Sequence, residues 1–485
     1  MIFNSSLFLV YFLPVFLLLY YLTDKSYRNW LIIAASTLFF AWGAPVFVLV
    51  VWTSILADHY WNRWMNRLDR GRKLHFVLIL VYHTSLLLYF KYANFLVDNT
   101  NELLRLIHAE PLTWTPVLLP LGISFITFQK ISYSIDVYRK HQLPAPSLAA
   151  YAAFIFMFPK ILAGPIVRYR EMAETLEQPD QRIPYEQRIS GFFRFVLGLA
   201  RKVLIANTLG ESVDLIFAMN AQDMSTGLAW VGALAYTFQI YFDFAGYSDM
   251  AIGLAAMTGF RFPENFNNPY TARSITEFWR RWHITLSSWL RDYIFLPLAY
   301  RLSDKWRRKR YAGLKTEMWI YIIATAVTML LCGFWHGAAW TFILWGAYQG
   351  LVMIIERLFL LKFYKKTSSY LAWAVTFIIT VNGWVLFRSP DFASARDYLA
   401  RMWSLNMNAS HTFPDSKFLS ILILAAVVSF LALIPGIEQR QNNILSISRR
   451  NTSLIIKTLI SIILLVICLA VITSSGFNPF IYFRF

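Results

Sequence analysis

Long apolar runs separated by short polar breaks set the architecture of this chain. The runs are Ser5–Leu22, Trp30–Ala57 with a break at Gly43-Ala44-Pro45, Phe76–Val97, Pro116–Val137, Tyr151–Pro165 and Phe192–Ile205. They continue with Ala229–Gly259, Met318–Gly350, Leu351–Leu361, Leu371–Phe387, Phe418–Leu433 and Leu454–Ile472. A helix that crosses hydrocarbon needs roughly 20 residues, so several runs are long enough and some are not. Tyr151–Pro165 is short and holds Pro159 and Gly164-Pro165. It reads as a re-entrant element, whose irregular backbone must be buried in protein or line a cavity. The pattern predicts an all-α polytopic membrane protein with about ten to twelve transmembrane helices plus re-entrant helices. No internal repeat and no long polar linker interrupts it, so residues 1–485 are expected to form a single membrane domain with a short aromatic tail at 474–485.

Composition supports a membrane class. The 485 residues are 57% hydrophobic and 15% charged, more apolar than a water-soluble core requires. Aromatic residues make up 18%, which suits interface belts. Ser5–Leu22 has no basic segment before it and no small-residue cleavage site after it, so it reads as the first span and not as a leader. The net charge of +18 is concentrated in two clusters. One holds Arg63, Arg67, Arg70, Arg72 and Lys73; the other holds Arg301, Lys305, Arg307, Arg308, Lys309, Arg310 and Lys315. Retention of basic loops in the cytoplasm accounts for both, and contact with anionic lipid or a phosphate-bearing donor is the second reading. Nucleic acid is not an expected partner, since no soluble basic domain is present. Cys332 and Cys468 lie in apolar runs and show neither metal-ligand spacing nor a disulfide framework. The basic segments 24–29, 62–73, 139–148, 168–188, 301–315 and 438–450 are expected in the cytoplasm. The 98–114 loop, the mixed 388–416 loop and the tail are expected outside.

The candidate chemistry centres on Phe334-Trp335-His336-Gly337-Ala338-Ala339-Trp340, which places one imidazole within an apolar run. A neutral imidazole in hydrocarbon still needs a donor and an acceptor. At membrane depth an ionisable residue usually faces a polar interior and often works there. Gly333 and Gly337 imply close backbone approach, or a helix that breaks around the imidazole. A second histidine lies in Glu277-Phe278-Trp279-Arg280-Arg281-Trp282-His283. On a continuous helix, Trp279 and Arg280 would share its face, and the amphipathic stretch through Arg291-Asp292-Tyr293 suits an interfacial helix at a cytosolic entrance. His283 as a hydrogen-bonded bystander is the plainer reading. The asparagines of Pro263–Tyr270 suit a turn, and could also donate to a carbonyl oxygen. Asp243 and Asp249 sit inside an apolar run and need partners, for which Arg280, Arg281 and Arg291 are candidates.

Together these segments resemble the membrane-bound O-acyltransferases, the MBOAT family. The residues that carry the likeness are Pro120–Phe125, Gly164-Pro165-Ile166, Tyr241–Asp249, the Pro263–Tyr293 block and Phe334–Trp340. The branch is the bacterial one that includes the membrane subunit of alginate O-acetylation, with peptidoglycan O-acetylases and D-alanyl teichoic-acid transferases as cousins. The resemblance implies helices around a central funnel or channel, His336 as the catalytic residue at its narrow middle, and His283 as a second active-site histidine. The tail Phe480-Ile481-Tyr482-Phe483-Arg484-Phe485 resembles an aromatic motif whose tyrosine is a proposed acyl carrier, which would make Tyr482 a third catalytic residue. An interface anchor is the alternative for the tail.

On this reading a thioester donor, acetyl-CoA in the first instance, is a co-substrate and not a resident cofactor. It binds at the cytosolic mouth near the 301–315 basic cluster, with Arg280 and Arg291 as candidate contacts. His336 acts as general base on an attacking hydroxyl, and Asn267, Asn268 or Trp335 steadies the oxyanion. The expected partners are an extracytoplasmic SGNH-hydrolase-like acetyltransferase, an exported polysaccharide and membrane lipids, in a bacterial inner membrane. Two other classes stand beside it: a proton-coupled transporter or channel with His336, Asp243 and Asp249 on its path, and an inactive scaffold that recruits an outer transferase.

Overall fold

The computed structural model describes residues 1–178, 182–306, 308–405, 415–474 and 480. The described residues are mostly helical, with one two-stranded antiparallel ribbon pairing Arg310–Tyr311 with Leu314–Lys315 inside the second basic cluster. Among the described residues six helices are long and apolar enough to cross a membrane: Arg72–Leu106, Thr316–His336, Trp340–Tyr364, Ser369–Arg388, Ser416–Leu433 and Asn451–Ser474. On the last of these Ile455, Ile456, Leu459, Ile462, Ile463 and Val466 are all exposed, a surface suited to lipid and not to water. Other apolar runs of the sequence occur as shorter or polar-bearing helices.

The chain divides into two compact units. The first comprises residues 1–199, 247–263 and 447–477. Here the expected span from Pro116 begins only at Ile123 and ends at Tyr138. Gly122 starts it in a left-handed conformation (φ 75°), and a methyl there would collide with the Ile161 carbonyl. A side chain at this position therefore fails on both counts. This helix carries Lys130, whose Nζ lies 2.8 Å from Asp58 and 2.5 Å from Ser54 Oγ, while His83 Nε2 lies 3.2 Å from the same carboxylate. The segment expected to be re-entrant forms two buried helices, Leu148–Phe156 and Phe158–Ile161, each far too short to span. Arg194 pairs with Asp249 at 3.0 Å within this unit.

The second unit comprises residues 200–246, 264–446 and 478–485. The run from Met318 past Trp345 is not one helix. Thr316–His336 stops at the imidazole, Gly337 is extended (φ −163°, ψ 155°), and Trp340–Ile355 begins after it. The two helices form a hairpin with almost no side chain between them at its centre. A methyl on Gly333 would collide with the Phe342 carbonyl and lie 2.9 Å from Gly346 Cα, and one on Gly346 would meet the Met329 carbonyl. Small residues permit this approach where lipid offers no hydrophobic drive. Gly333→Ala is expected to prise the hairpin open and destabilise the protein by about 1–3 kcal/mol. Thermal unfolding in detergent should show a lowered midpoint, whereas Cys332→Ala one position away removes volume without forcing the backbones apart.

The structure corrects the pairing expected for the intramembrane carboxylates. In the second unit Asp243 pairs with Lys202 at 2.5 Å, both side chains buried. Arg280 and Arg291 are exposed, and Arg281 is held by Glu277 and Glu438. Asp243 and Asp249 lie on the 32-residue helix Thr226–Met257, and their partners come from the 185–206 stretch, as a hydrocarbon setting demands of buried charges.

Candidate active site

Both site histidines belong to the second unit, and its short helices explain where His283 points. Ile275–Arg281 is capped by Ser274, whose hydroxyl accepts from the Glu277 amide at 3.0 Å. Its first turn is also held by Glu356, a fully buried acid just beyond Trp340–Ile355. That carboxylate accepts from the amides of Ile275 (2.5 Å) and Thr276 (3.0 Å) and from the Thr276 hydroxyl. A carboxylate at this end satisfies orphan amides and matches the helix dipole.

The other end breaks at Trp282, and His283 adopts left-handed angles (φ 42°, ψ 53°) before Ile284–Leu290 begins. The expected sharing of one helix face by Trp279, Arg280 and His283 therefore does not hold. The cause is the asparagine segment, which bonds to the chain on both sides of the histidine. The Asn267 amide donates to the Arg281 carbonyl, and the Ile284 amide donates to the Asn265 carbonyl, each at 2.9 Å. These bonds take the place of helical ones and turn His283 inward, where it is fully buried.

Asn265 is the hub of this turn. Its Oδ1 accepts from the Thr285 hydroxyl at 2.8 Å and the Thr285 amide at 3.3 Å, and lies 3.0 Å from His283 Nδ1. Asn267 and Asn268 are committed elsewhere. Their side-chain amides donate to Glu438 at 2.8 Å and Gln441 at 2.9 Å, both on Ile437–Leu445. Glu438 also accepts from Arg281 at 3.2 Å, so this short helix ties down the loop.

Both imidazoles meet the same indole. Trp335 lies 4.8 Å from the His336 ring and 6.2 Å from the His283 ring, centroid to centroid. His336 ends its helix between Trp345 (5.0 Å) and Phe387 (5.2 Å), both edge-on, and is 5% exposed. Phe244 meets His283 edge-on at 4.6 Å, and Phe480 of the tail is buried against Phe244 at 5.8 Å. Tyr482 lies outside the described residues.

A cavity of about 390 Å³ opens beside this cluster, large enough for a small organic ligand. Trp279, Arg280, Ser287, Arg291, Tyr321 and Met329 are among its walls. Arg280 and Arg291 thus share one space, whereas Asn267, Asn268, Trp335 and the two imidazoles do not line it. The Trp279 indole donates to Gln349 at 3.2 Å, which fixes the inner wall. Among the described residues no group of three or more His, Cys, Asp or Glu side chains is placed to hold a metal ion.

His283 lies outside the six apolar helices, and burial alone pushes its pKa from 6.5 down to about 3. Between those values an unfolded chain binds a proton that the folded one does not. The ring therefore lowers stability as pH falls from 6.5 toward 3 and has no effect above that window. At neutral pH it is an uncharged imidazole.

Residues 40–389 match the family described as MBOAT, membrane-bound O-acyltransferase. The chain belongs to this family. It is 40% identical over 437 residues to a Pseudomonas aeruginosa protein named as a probable alginate O-acetylase, AlgI, covering 89% of this chain and 81% of that one. A Pseudomonas putida protein of the same name is 37% identical, covering 100% of both chains. A peptidoglycan O-acetyltransferase of Helicobacter pylori is 32% identical, covering 100% of this chain and 98% of the other. This MBOAT chain is accordingly a multi-pass membrane O-acyltransferase. Asn265, Glu356 and Glu438 were not singled out from its sequence. Glu356 carried a signal, an acid inside an apolar run; Asn265 and Glu438 looked like ordinary turn and loop residues.

Proposed function

We propose that this chain moves an acetyl group from a cytosolic thioester, acetyl-CoA in the first instance, across the inner membrane for O-acetylation of an exported polysaccharide. The fold proposed with it has ten to twelve crossings around a funnel, with the tail on the outer side. The observation that carries the reading is the pair of buried imidazoles that both meet Trp335, near a cavity with two guanidinium groups. Guanidinium groups match phosphate oxygens, so Arg280 and Arg291 suit the anionic part of the donor while the apolar walls take its arm. His336 takes the proton of an attacking hydroxyl. The new C–O bond forms as the C–S bond breaks, and the proton leaves with the thiolate. The acetyl group then passes to an extracytoplasmic SGNH-hydrolase-like partner and on to the polymer. The relatives' names support a polysaccharide acceptor of the alginate or peptidoglycan kind. The proton-path alternative needs Asp243 and Asp249 as carriers, and both are ion-paired.

The test is transfer of radiolabel from acetyl-CoA in membranes that contain the full chain. Label should reach the protein and then the polymer. Tyr482→Phe keeps the ring and deletes the hydroxyl; it should abolish labelling of the protein if the tail carries the acyl group. Full labelling in that variant would reduce the tail to an anchor, and no label on either protein or polymer would remove acetyl-CoA as donor.

A further inference from the structure

Asn265 Oδ1 decides the protonation pattern of His283. The Thr285 backbone N–H donates to that atom, and an amide nitrogen can only donate, so the atom is the carbonyl oxygen and not the NH₂. His283 Nδ1, 3.0 Å from the same oxygen, must then carry a hydrogen to bond with it. In a neutral ring this leaves Nε2 bare. Among the described residues Nε2 has no hydrogen-bond partner, although the ring is fully buried. Phe244, Trp335 and Asn265 meet the ring, and none of these titrates with it. Burial is the sole cause of its lowered pKa, so no nearby charge holds a second proton on it.

We infer that Asn265 is a positioning residue that fixes His283 as the Nδ1–H tautomer, so that His283 meets the reacting groups as a hydrogen-bond acceptor through Nε2. The inference rests on the acyl-transfer reading and assigns His283 a side within it. A bare Nε2 takes a hydrogen bond from a substrate O–H or N–H. It cannot steady an oxyanion, which needs a donor. The asparagine therefore acts through the histidine, and its removal frees the ring to exchange tautomers.

Two measurements test this on the full chain in membranes, normalised to folded protein. The first is a double-mutant cycle. Asn265→Ala should lower kcat by about 10- to 100-fold, the scale of losing an orienting partner. Asn265→Ala combined with His283→Ala should be no worse than His283→Ala alone. A double variant that multiplies the two losses would overturn the inference, since the asparagine would then act independently of the ring. The second is the pH profile of Asn265→Asp, which keeps the acceptor geometry and places a carboxylate against Nδ1. The carboxylate favours the doubly protonated ring and raises its pKa. Across the ordinary imidazole range of about pH 5 to 8 the variant should lose more activity toward acid than the parent and recover toward alkali, its acid limb shifted to higher pH. A profile that coincides with the parent's, or an acid limb shifted to lower pH, would overturn it. Loss of transfer in His336→Ala together with either contrary result would remove this inference alone; retained transfer in His336→Ala would remove the acyl-transfer reading beneath it.

Discussion

Replacing His336 with alanine is expected to lower acyl transfer by about 10²- to 10⁴-fold, the contribution of a positioned general base. The ring ends the Thr316–His336 helix and is wedged among Trp335, Trp345 and Phe387. That packing fixes its orientation before any substrate arrives, and a misplacement of about 1 Å can cost about 100-fold in rate. Alanine also leaves a void among these rings, so His336→Gln, close in volume, separates packing from chemistry. Both variants should be inactive, with the glutamine protein as abundant as the parent. The measurement is O-acetyl content of the exported polymer. Unchanged acetylation at normal protein levels would end the proposal.

The second large effect concerns stability. Lys202→Met is expected to destabilise the protein by about 3–5 kcal/mol, because it strands the Asp243 carboxylate in a buried setting. Both side chains are less than 5% exposed, and they lie 2.5 Å apart. Adding Asp243→Leu should recover most of that loss, since an apolar pair of similar volume replaces a buried ion pair at little cost. Thermal unfolding in detergent checks both variants. The neighbouring Phe244 packs on His283, so activity should follow stability down and back. A double variant no more stable than the single one would show that the pair is not what accommodates Asp243.

Much of this was legible in the sequence, and the misses share a cause. Apolar length and break residues located the hairpin turn at Gly337 and the short elements of 151–165, because these depend on local steric rules. His336 was visible as an ionisable residue in an apolar run, whereas His283 lay in an amphipathic stretch and its candidacy, like that of Tyr482, came from the family resemblance. Partner assignments were less accessible. Arg280, Arg281 and Arg291 looked like counter-ions for Asp243 and Asp249, but Lys202 and Arg194 pair with those carboxylates from a different stretch. The break before His283 was hidden because its cause, backbone pairing with Asn265–Asn267, is not local to the helix it interrupts. Asn267 and Asn268 read as turn residues whose amides could also donate to a carbonyl oxygen, and the structure commits those amides to Glu438 and Gln441.

The Ile275–Arg281 helix is bolted at both ends, by Glu356 at its first turn and by Glu438 on Arg281 at its last. A seven-residue rod pinned twice cannot tilt as a lever without releasing one bolt. It forms one side of the 390 Å³ cavity, so that side behaves as an anvil. Any widening of the cavity must therefore come from its other walls, among them Phe295, Tyr321 and Met353.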